Sequence, residues 1–331
     1  MMRRPVYIFS SGELHREGNT LVLIKEGSKR FVPITAVSEI YVFGECKLNK
    51  RLLEFLSSNE VIVHFFNYYG FYIGSYYPRS HYNSGYMIVK QVEHYLDQTK
   101  RLILARKFVK GGLDNMLRVL RYYELRGANV SEIIADVRRF RERVSQADSI
   151  EGLMGIEGNA RNRYYDAFNL IIKNKDFHFV ERTRRPPESR LDSLISFLNS
   201  LLYVSILREI YMTHLDPRIG FLHEANFRSF SLNLDVAEVF KPIIVDRLIF
   251  HLINKGMIDD SHFMKELGGV LLNERGREVV VREFERRMAT TIKRRSGGRS
   301  VSYRRLIRIE LYKLERHLIG EAEYIPFVAG W

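Results

Sequence analysis

One short stretch of the sequence, Gly220 to Pro242, holds a histidine and two acidic residues that could do chemistry together. Within it, Asp235 and Glu238 are three residues apart. On a helix this spacing places both carboxylates on one face. Two carboxylates so close repel each other unless a cation or a proton lies between them. Because His223 precedes them, the stretch fits a metal centre, and it also fits a capping histidine beside a solvated acidic helix face.

A further carboxylate, Glu157, lies upstream in the unusual run GIEGNA. Our hypothesis is that Glu157, His223 and Glu238 meet around a divalent metal ion. One imidazole with carboxylate oxygens suits Mn²⁺ or Mg²⁺, whereas zinc fits less well because no thiolate is available. The rest of the chain would then serve to present a substrate to the metal.

The charge of the chain indicates an anionic partner. Over 331 residues the formal net charge is +13. Nucleic acid is the leading candidate for this partner, and an anionic membrane surface is the other. The hydrophobic share of 46% is ordinary for a globular protein, and the length is sufficient for two domains.

Cysteine content and apolar runs bear on the compartment. The single cysteine, Cys46, excludes an intramolecular disulfide and favours a reducing environment. The N-terminal run MMRRPVYIFSSGEL has only a short apolar part and does not resemble a signal peptide. No uninterrupted apolar stretch reaches the length that a bilayer requires. We therefore expect a cytoplasmic protein without a membrane partner.

The elements that must position the site change in kind near residue 85. Before it, short β-branched and aromatic runs alternate with turn residues, and after it helical periodicity dominates. The sequence therefore predicts an α+β fold, with a small N-terminal β domain over 1–85 and a larger all-α C-terminal domain over 86–331. Predicted strands cover 6–9, 20–24, 30–34, 39–43 and 61–66. Predicted helices cover 49–59, 87–110, 112–126, 130–145, 148–174, 188–213, 232–255, 274–295 and 301–318, with breaks at Gly and Pro residues.

Arginines cluster in the second predicted domain. Arg184 and Arg185 come just before a Pro-Pro pair, while Arg304, Arg305 and Arg308 follow a glycine pair. A run of like charge is usually a solvated face. Several such clusters in one basic domain favour phosphate contacts, so we predict that these five arginines bind DNA.

A metal held by carboxylates and a histidine in a basic helical domain is typical of phosphodiester chemistry. The sequence contains neither a GxxxxGK[ST] loop for nucleotide phosphates nor a GxSxG nucleophile elbow. Hydrolysis and strand transfer both use such a metal, and they differ in whether water or a DNA 3′-hydroxyl attacks. Strand transfer exchanges one phosphodiester for another, which agrees with the missing nucleotide loop.

Several separated motifs resemble, in the same order, those of the CRISPR-associated adaptation integrase family. The resemblance covers the whole chain, and the N-terminal run YIFSSGEL is similar to the variant found in type I-B systems. The matching segments are residues 153–161 with Tyr164 and Tyr165, 184–187 with 194–197, 220–224, 234–242, and 302–306 with 312–314.

This resemblance implies a β domain that forms a homodimer and a helical domain that carries the site. It implies a metal bound by Glu157, His223 and Glu238, with Asp235 beside it. It also implies a small ferredoxin-like companion protein that bridges two dimers. The implied reaction joins the 3′-hydroxyl ends of foreign DNA fragments to a repeat array. Many members carry Asp in place of Glu238, and Asn in place of Asp192.

Two other functions remain open from the residues alone. One is a non-catalytic DNA-binding scaffold, in which the acidic cluster only holds helices together. The other is an RNA-directed nuclease, because a basic groove binds either polymer. Metal-dependent cleavage or joining of a branched DNA would discriminate the enzyme from the scaffold.

Overall fold

The chain divides into two compact units, Met1–His81 and Tyr82–Trp331. The structure is a computed structural model that describes residues 3–25, 27–78, 82, 84–183, 186–225, 230–266, 268–292 and 300–330. Strands dominate the first unit and helices the second, which confirms the α+β class predicted from the sequence. The assignment of dimerisation to the first unit and of catalysis to the second stays a prediction.

The first unit is built from two four-stranded sheets. Its strands and helix are β1 (Arg4–Ile8), β2 (Gly12–Glu17), β3 (Thr20–Lys25), β4 (Ser28–Pro33), β5 (Val37–Val42), β6 (Cys46–Lys47), α1 (Lys50–Ser58), β7 (Ile62–Phe66) and β8 (Tyr72–Tyr76). One sheet has the order β1-β5-β7-β8, with β8 antiparallel to β7 and the other pairs parallel. The other has the order β4-β3-β2-β6, with only β2 and β6 parallel.

Apolar side chains from both sheets and from α1 form the core of this unit. Helix α1 begins after Asn49, whose side-chain oxygen accepts a hydrogen bond of 2.9 Å from the backbone N–H of Leu52. Leu52 and Leu56 then both enter the core, because residues four apart share a helix face. The sequence predicted this helix and most of the strands, whereas it missed β2 and the two-residue strand β6.

The second unit is mainly helical. Its helices are α2 (Gly85–Leu96), α3 (Gln98–Glu124), α4 (Ser131–Arg143), α5 (Ile150–Asp166), α6 (Phe168–Ile171), α7 (Arg190–Tyr211), α8 (Leu232–Lys241), α9 (Arg247–Asn254), α10 (Glu274–Ala289) and α11 (Tyr303–Leu318). Helix α3 packs against α4, α5 and α8, and α7 packs against α8 and α11. Helix α3 is thus the common neighbour of the two helices that carry the predicted carboxylates.

The predicted helix break at Gly111-Gly112 is wrong, because α3 runs through both glycines. A Cβ atom at Gly112 would lie 2.9 Å from the backbone carbonyl oxygen of Glu238. One at Gly111 would lie 2.7 Å from Cβ of Pro326. The two glycines therefore serve close approach of other segments to α3 rather than the end of a helix.

The predicted helix over 232–255 is divided into three parts. After α8, residues Pro242–Asp246 form a π-helical turn, and α9 follows directly. Proline has no N–H to donate and its ring crowds the preceding turn, which favours a local widening of the helix. The widened turn brings Asp246, which is buried, toward the same region as Glu238.

The helical unit also contains two short hairpins that the sequence interpretation did not identify. Strands β9 (Phe263–Glu266) and β10 (Gly269–Leu272) form the first hairpin. Strands β11 (Thr291–Ile292) and β12 (Val301–Ser302) form the second, so the predicted helices over 274–295 and 301–318 are slightly shorter than expected.

Helix α7 is long and apolar enough to cross a membrane by length and composition alone. Of its most apolar 18-residue window, 72% is buried inside the structure. Because α8, α11 and β10 pack against it, its apolar surface is covered by protein.

Gly12 offers a test of close packing in the first unit. A Cβ there would collide with the backbone carbonyl oxygen of Ile24, on the neighbouring strand, so Gly12→Ala must displace main chain. We expect this substitution to reduce the free energy of unfolding by about 1–3 kcal/mol. Gly74→Ala is the matched control, because a Cβ at Gly74 meets nothing within 4 Å. Denaturant unfolding of both variants measures the difference, and equal stability of the two would contradict the packing described here.

Candidate metal centre

The four residues predicted for the site come from two helices and one loop. Helix α5 presents Glu157, α8 presents Asp235 and Glu238, and the loop before α8 presents His223. Helix α5 is capped by Ser149, whose hydroxyl accepts a hydrogen bond of 3.1 Å from the N–H of Gly152. Both carboxylate helices pack on α3, which fixes their separation.

Asp235 holds the histidine loop in place. It is fully buried, and its carboxylate accepts backbone N–H bonds from Phe221 at 2.5 Å, Leu222 at 3.0 Å and His223 at 2.9 Å. The same carboxylate lies 2.8 Å from Nδ1 of His223. A carboxylate can only accept here, so Nδ1 carries the proton and Nε2 keeps its lone pair. This arrangement of carboxylate and imidazole is common behind metal-binding histidines.

Glu238 and Glu157 share a buried arginine. The Arg161 guanidinium lies 2.9 Å (Nη2) from Oε2 of Glu238 and 3.5 Å (Nε) from Oε1 of Glu157. Its third nitrogen lies 3.4 Å from Oδ2 of Asp246. Lys241 Nζ lies 2.5 Å from the other oxygen of Glu238. Two cations thus balance three carboxylates in the interior of the helical unit.

The two glutamates differ in their proton affinity. Burial and the negative charge of Glu238 raise the pKa of Glu157 above its ordinary value. Burial would also raise the pKa of Glu238, but the positive charges of Lys241 and Arg161 outweigh that effect and hold it at about 2. Burial raises the pKa of Asp246 to about 6, in spite of the nearby Arg161. Neighbouring carboxylates with separated pKa values are typical of sites that accept a cation or a proton.

The side chains fit a divalent ion in chemistry, although they are not closed around one as they stand. Among the described residues, no three His, Cys, Asp or Glu side chains are grouped so that they could hold a metal. Arg161 and Lys241 occupy the Glu238 oxygens instead. The electrostatic influence of Glu238 nevertheless reaches both Glu157 and His223. Two carboxylates that repel each other and an imidazole with an available Nε2 form a donor set that suits Mn²⁺ or Mg²⁺.

Sequence reasoning did not assign a role to Arg161, Lys241 or Asp246. The first two could have been found from spacing, because they follow Glu157 and Glu238 by four and three residues on their helices. The approach of Asp246 depends on the π-helical turn, which no sequence signal specified. These three residues supply most of the charge around the predicted ligands.

Helix α8 is also held by α3 and by the segment after α11, through residues that the sequence interpretation did not single out. Asn115 is fully buried, and its Nδ2 donates to the carbonyl oxygens of Val239 at 2.8 Å and Phe327 at 2.9 Å. Its Oδ1 accepts a hydrogen bond of 2.9 Å from the N–H of Ala329. The ring of Phe327 stacks on that of Phe240, with centroids 6.0 Å apart. Asn115 therefore links α3, α8 and the segment after α11.

Asp192, whose role the sequence left open, is buried near the start of α7. Its carboxylate accepts hydrogen bonds from Arg182 at 3.0 Å, Thr183 at 2.8 Å and Ser189 at 2.9 Å. It thus anchors the segment that leads into α7.

The predicted DNA-binding arginines have different surroundings. Arg184 and Arg185 lie outside the described residues. Arg304 bonds both oxygens of Glu285, at 2.8 and 2.9 Å, and Arg308 lies 2.6 Å from the buried Glu209. Arg305 is exposed. The role of these residues in DNA binding stays a prediction, and two of them have carboxylate partners within the protein.

Comparison with known proteins agrees with the resemblance seen in the sequence. Residues 6–286 match the family described as CRISPR associated protein Cas1. A Thermodesulfovibrio yellowstonii protein, "CRISPR-associated endonuclease Cas1 2", is 53% identical over 330 residues, which is 100% of each chain. The solved structure of a CAS1 protein from Thermotoga maritima has a TM-score of 0.88 and 45% identity, covering 97% of this chain and 98% of that chain.

A casposase bound to an integration product is also similar in structure. Its TM-score is 0.89 with 21% identity, and the match covers 99% of this chain and 93% of that chain. At this identity the similarity shows the fold alone.

Substitution of the two carboxylates on α8 separates a metal ligand from its neighbour. We expect Glu238→Ala to abolish manganese binding, because it removes a direct ligand. Asp235→Asn should weaken the affinity by roughly 10–100-fold, as is typical of residues that orient a ligand. Calorimetric titration with Mn²⁺ measures both effects. Glu224→Ala, which removes an exposed carboxylate beside His223, is the control. If Asp235→Asn lost the metal and Glu238→Ala kept it, the two roles would be reversed.

Metal affinity should also depend on pH through His223. Burial alone would lower the pKa of His223, but the hydrogen bond to Asp235 and its negative charge outweigh burial and raise that pKa. A protonated imidazole cannot bind a metal, so manganese affinity should fall with decreasing pH at a higher pH than for an ordinary histidine. In Asp235→Asn the pKa of His223 should fall, so the midpoint of the loss of manganese affinity should move to lower pH.

Calorimetry between about pH 5 and pH 8, where histidine titrates, measures this midpoint. Asp148→Asn, which removes an exposed carboxylate near the start of α5, should leave it unchanged. An identical midpoint in the parent protein and in Asp235→Asn would show that Asp235 does not control the proton on His223.

Proposed function

Because this chain belongs to the Cas1 family of CRISPR-associated proteins, we propose that it is a metal-dependent DNA endonuclease and integrase. It would insert foreign DNA fragments into a CRISPR repeat array by attack of their 3′-hydroxyl ends on phosphodiesters. Relatives over the full length of the chain are named endonucleases, which supports nuclease chemistry. The observation that carries the proposal is the arrangement in which the buried Glu238 acts electrostatically on both Glu157 and His223, whose ring is anchored 2.8 Å from Asp235.

In this proposal Glu157, His223 and Glu238 hold Mn²⁺ or Mg²⁺. When bound, such an ion neutralises charge on the phosphate and lowers the pKa of the attacking hydroxyl group. The donor set supports this choice, since it combines carboxylate oxygens with one imidazole nitrogen.

The other buried residues of the cluster have separate tasks. Asp235 keeps the proton on Nδ1 of His223 and fixes the ring through the backbone bonds of its loop. Arg161 and Lys241 keep Glu238 ionised at neutral pH. Burial would lower the pKa values of both cations, but the charge of Glu238 outweighs it and raises them, so both stay positive. They would also offer positive charge to a phosphate oxygen that enters the site.

The proposal includes partners that the family resemblance implies. We propose that the protein acts in the cytoplasm as a homodimer formed through its β unit. A small ferredoxin-like companion protein would bridge two such dimers. The net charge of +13 supports DNA as the substrate.

A second candidate is a non-catalytic DNA-binding scaffold. The observation in its favour is that Arg161 and Lys241 already satisfy the Glu238 oxygens. In that case the acidic cluster would only hold α5, α8 and α9 together, and no metal would be needed. The two candidates make opposite predictions for a single substitution on α5.

The test is strand transfer of a short duplex with free 3′-hydroxyl ends into a supercoiled plasmid that carries a repeat. The companion protein and Mn²⁺ are added. We expect Glu157→Ala to reduce joining, and cleavage of a branched DNA, by more than the roughly 100-fold typical of residues outside the ligand set. DNA binding should stay nearly intact. Glu151→Ala, an exposed carboxylate on the same helix, should behave like the parent protein.

Two controls make the test decisive. A fragment with 3′-dideoxy ends lacks the nucleophile for joining, so it should abolish joining and leave cleavage. Chelation of the metal should abolish both. If Glu157→Ala and chelation left joining and cleavage unchanged, the integrase proposal would fail. If the parent protein bound DNA normally but neither joined nor cleaved it, the scaffold would be favoured.

A further inference from the structure

A groove between α3 and α4 collects arginines that the predicted DNA-binding set does not include. Its volume is about 470 Å³, and four guanidinium groups line it, those of Arg118, Arg121, Arg138 and Arg141. Arg118 and Arg121 lie three residues apart on α3 and therefore share one face of that helix. The other two come from α4, so the groove receives positive charge from both walls.

Three of these four guanidinium groups have no ion-pair partner among the described residues. Arg141 pairs with Asp114 at 2.5 Å. Within the part of the chain that the structure describes, the side chains of Arg118, Arg121 and Arg138 make no hydrogen bond or ion pair. The one other acidic residue of the groove, Glu142, is exposed. Three unpaired guanidinium groups facing one groove repel one another, and an anionic ligand would relieve that repulsion.

The arginines predicted from the sequence differ in this respect. Arg308 is paired with the buried Glu209, and Arg304 with Glu285. The charges of these two arginines are therefore partly neutralised by carboxylates of the protein. Arg118, Arg121 and Arg138 are therefore better placed to exchange water for phosphate oxygens, because they break no internal ion pair among the described residues when they do so.

The lining of the groove favours a phosphate backbone over a protein surface. Only two apolar side chains, Leu117 and Val328, contribute to it. The centre of a stable protein interface is usually apolar and poor in charge, which this groove is not. Guanidinium forks, by contrast, match phosphate oxygens and need no apolar contact.

The groove and the candidate metal centre both adjoin helix α3. Helix α3 passes the backbone of Glu238 at Gly112. Arg118 and Arg121 lie six and nine residues further along, which is about 9 and 14 Å at 1.5 Å per residue. These are distances along the helix axis, and Arg121, about two and a half turns from Gly112, lies on the opposite side of α3.

We propose that the α3–α4 groove, formed by Arg118, Arg121, Arg138 and Arg141, binds the phosphate backbone of the DNA substrate. The identity of the substrate rests on the proposed function, whereas the preference of the groove for a polyanion rests on its own unpaired charges. Each of the three unpaired arginines accounts for one phosphate contact.

The experiment compares two charge-matched triple variants of the full chain. One is Arg118→Gln with Arg121→Gln and Arg138→Gln. The other is Lys255→Gln with Lys265→Gln and Arg275→Gln, which removes three exposed cations elsewhere on the helical unit. Affinity for a blunt DNA duplex is measured by fluorescence anisotropy between about 50 and 200 mM salt.

We expect the groove variant to bind at least about ten-fold more weakly near 100 mM salt. The slope of the logarithm of its association constant against the logarithm of the salt concentration should be less steep by about three, one for each lost phosphate contact. The control variant should lose clearly less. A third variant, Arg118→Lys with Arg121→Lys and Arg138→Lys, keeps the three charges. Its salt dependence should be close to that of the parent protein. Thermal unfolding confirms that all three variants are folded.

Equal affinity and slope for the groove variant and the parent protein would overturn the proposal and leave an acidic protein surface as the occupant of the groove. An equal loss in the groove and control variants would also overturn it, because net charge alone would then explain the effect. Failure of the proposed function would appear separately, as absence of cleavage and joining by the parent protein, which the binding measurement does not use.

Discussion

The helical unit depends on one buried arginine. Arg161 lies among Glu157, Glu238 and Asp246, and each of these comes from a different turn or helix. Removal of a charged group from water costs several kcal/mol, and mutual attraction repays that cost only when the geometry is good. A core made only of apolar side chains would hold α5, α8 and α9 together at lower cost. Retention of this much charge in the interior is therefore better explained by chemistry than by stability.

Several local contacts fix the position of the charged cluster around Arg161. Gly112 lets α8 approach α3 at the backbone of Glu238. Asn115, one turn further on, satisfies the carbonyl oxygen of Val239. Asp235 ties the histidine loop to α8 through three backbone N–H groups. Since each contact restrains a residue next to a predicted ligand, the helices act as a rigid frame for the site.

Much of this organisation could be predicted from the sequence, and the reasons for the misses are physical. Periodicity gave the two kinds of unit and nearly all helices, because buried faces impose a period. Glu157, His223, Asp235 and Glu238 were singled out by their types, their order and the family resemblance, and their role at a metal site stays a prediction. The glycine pair in α3 was misinterpreted, since a sequence shows that a side chain is missing but not what fills its place. The π-helical turn, the pairing of Arg308 with Glu209 and the unpaired groove arginines all depend on tertiary packing.

The support of α8 has a consequence for the order in which the molecule is made. Phe327 and Ala329 reach Asn115 from beyond α11, so they are synthesised roughly 90 residues after α8 ends at Lys241. At about 5–20 residues per second, a nascent chain would carry α8 without this support for roughly 4–18 seconds. Glu238 would gain its final restraint only after the whole helical unit had left the ribosome. The cluster of Glu157, His223 and Glu238 would thus reach its final geometry only when synthesis of the unit was complete.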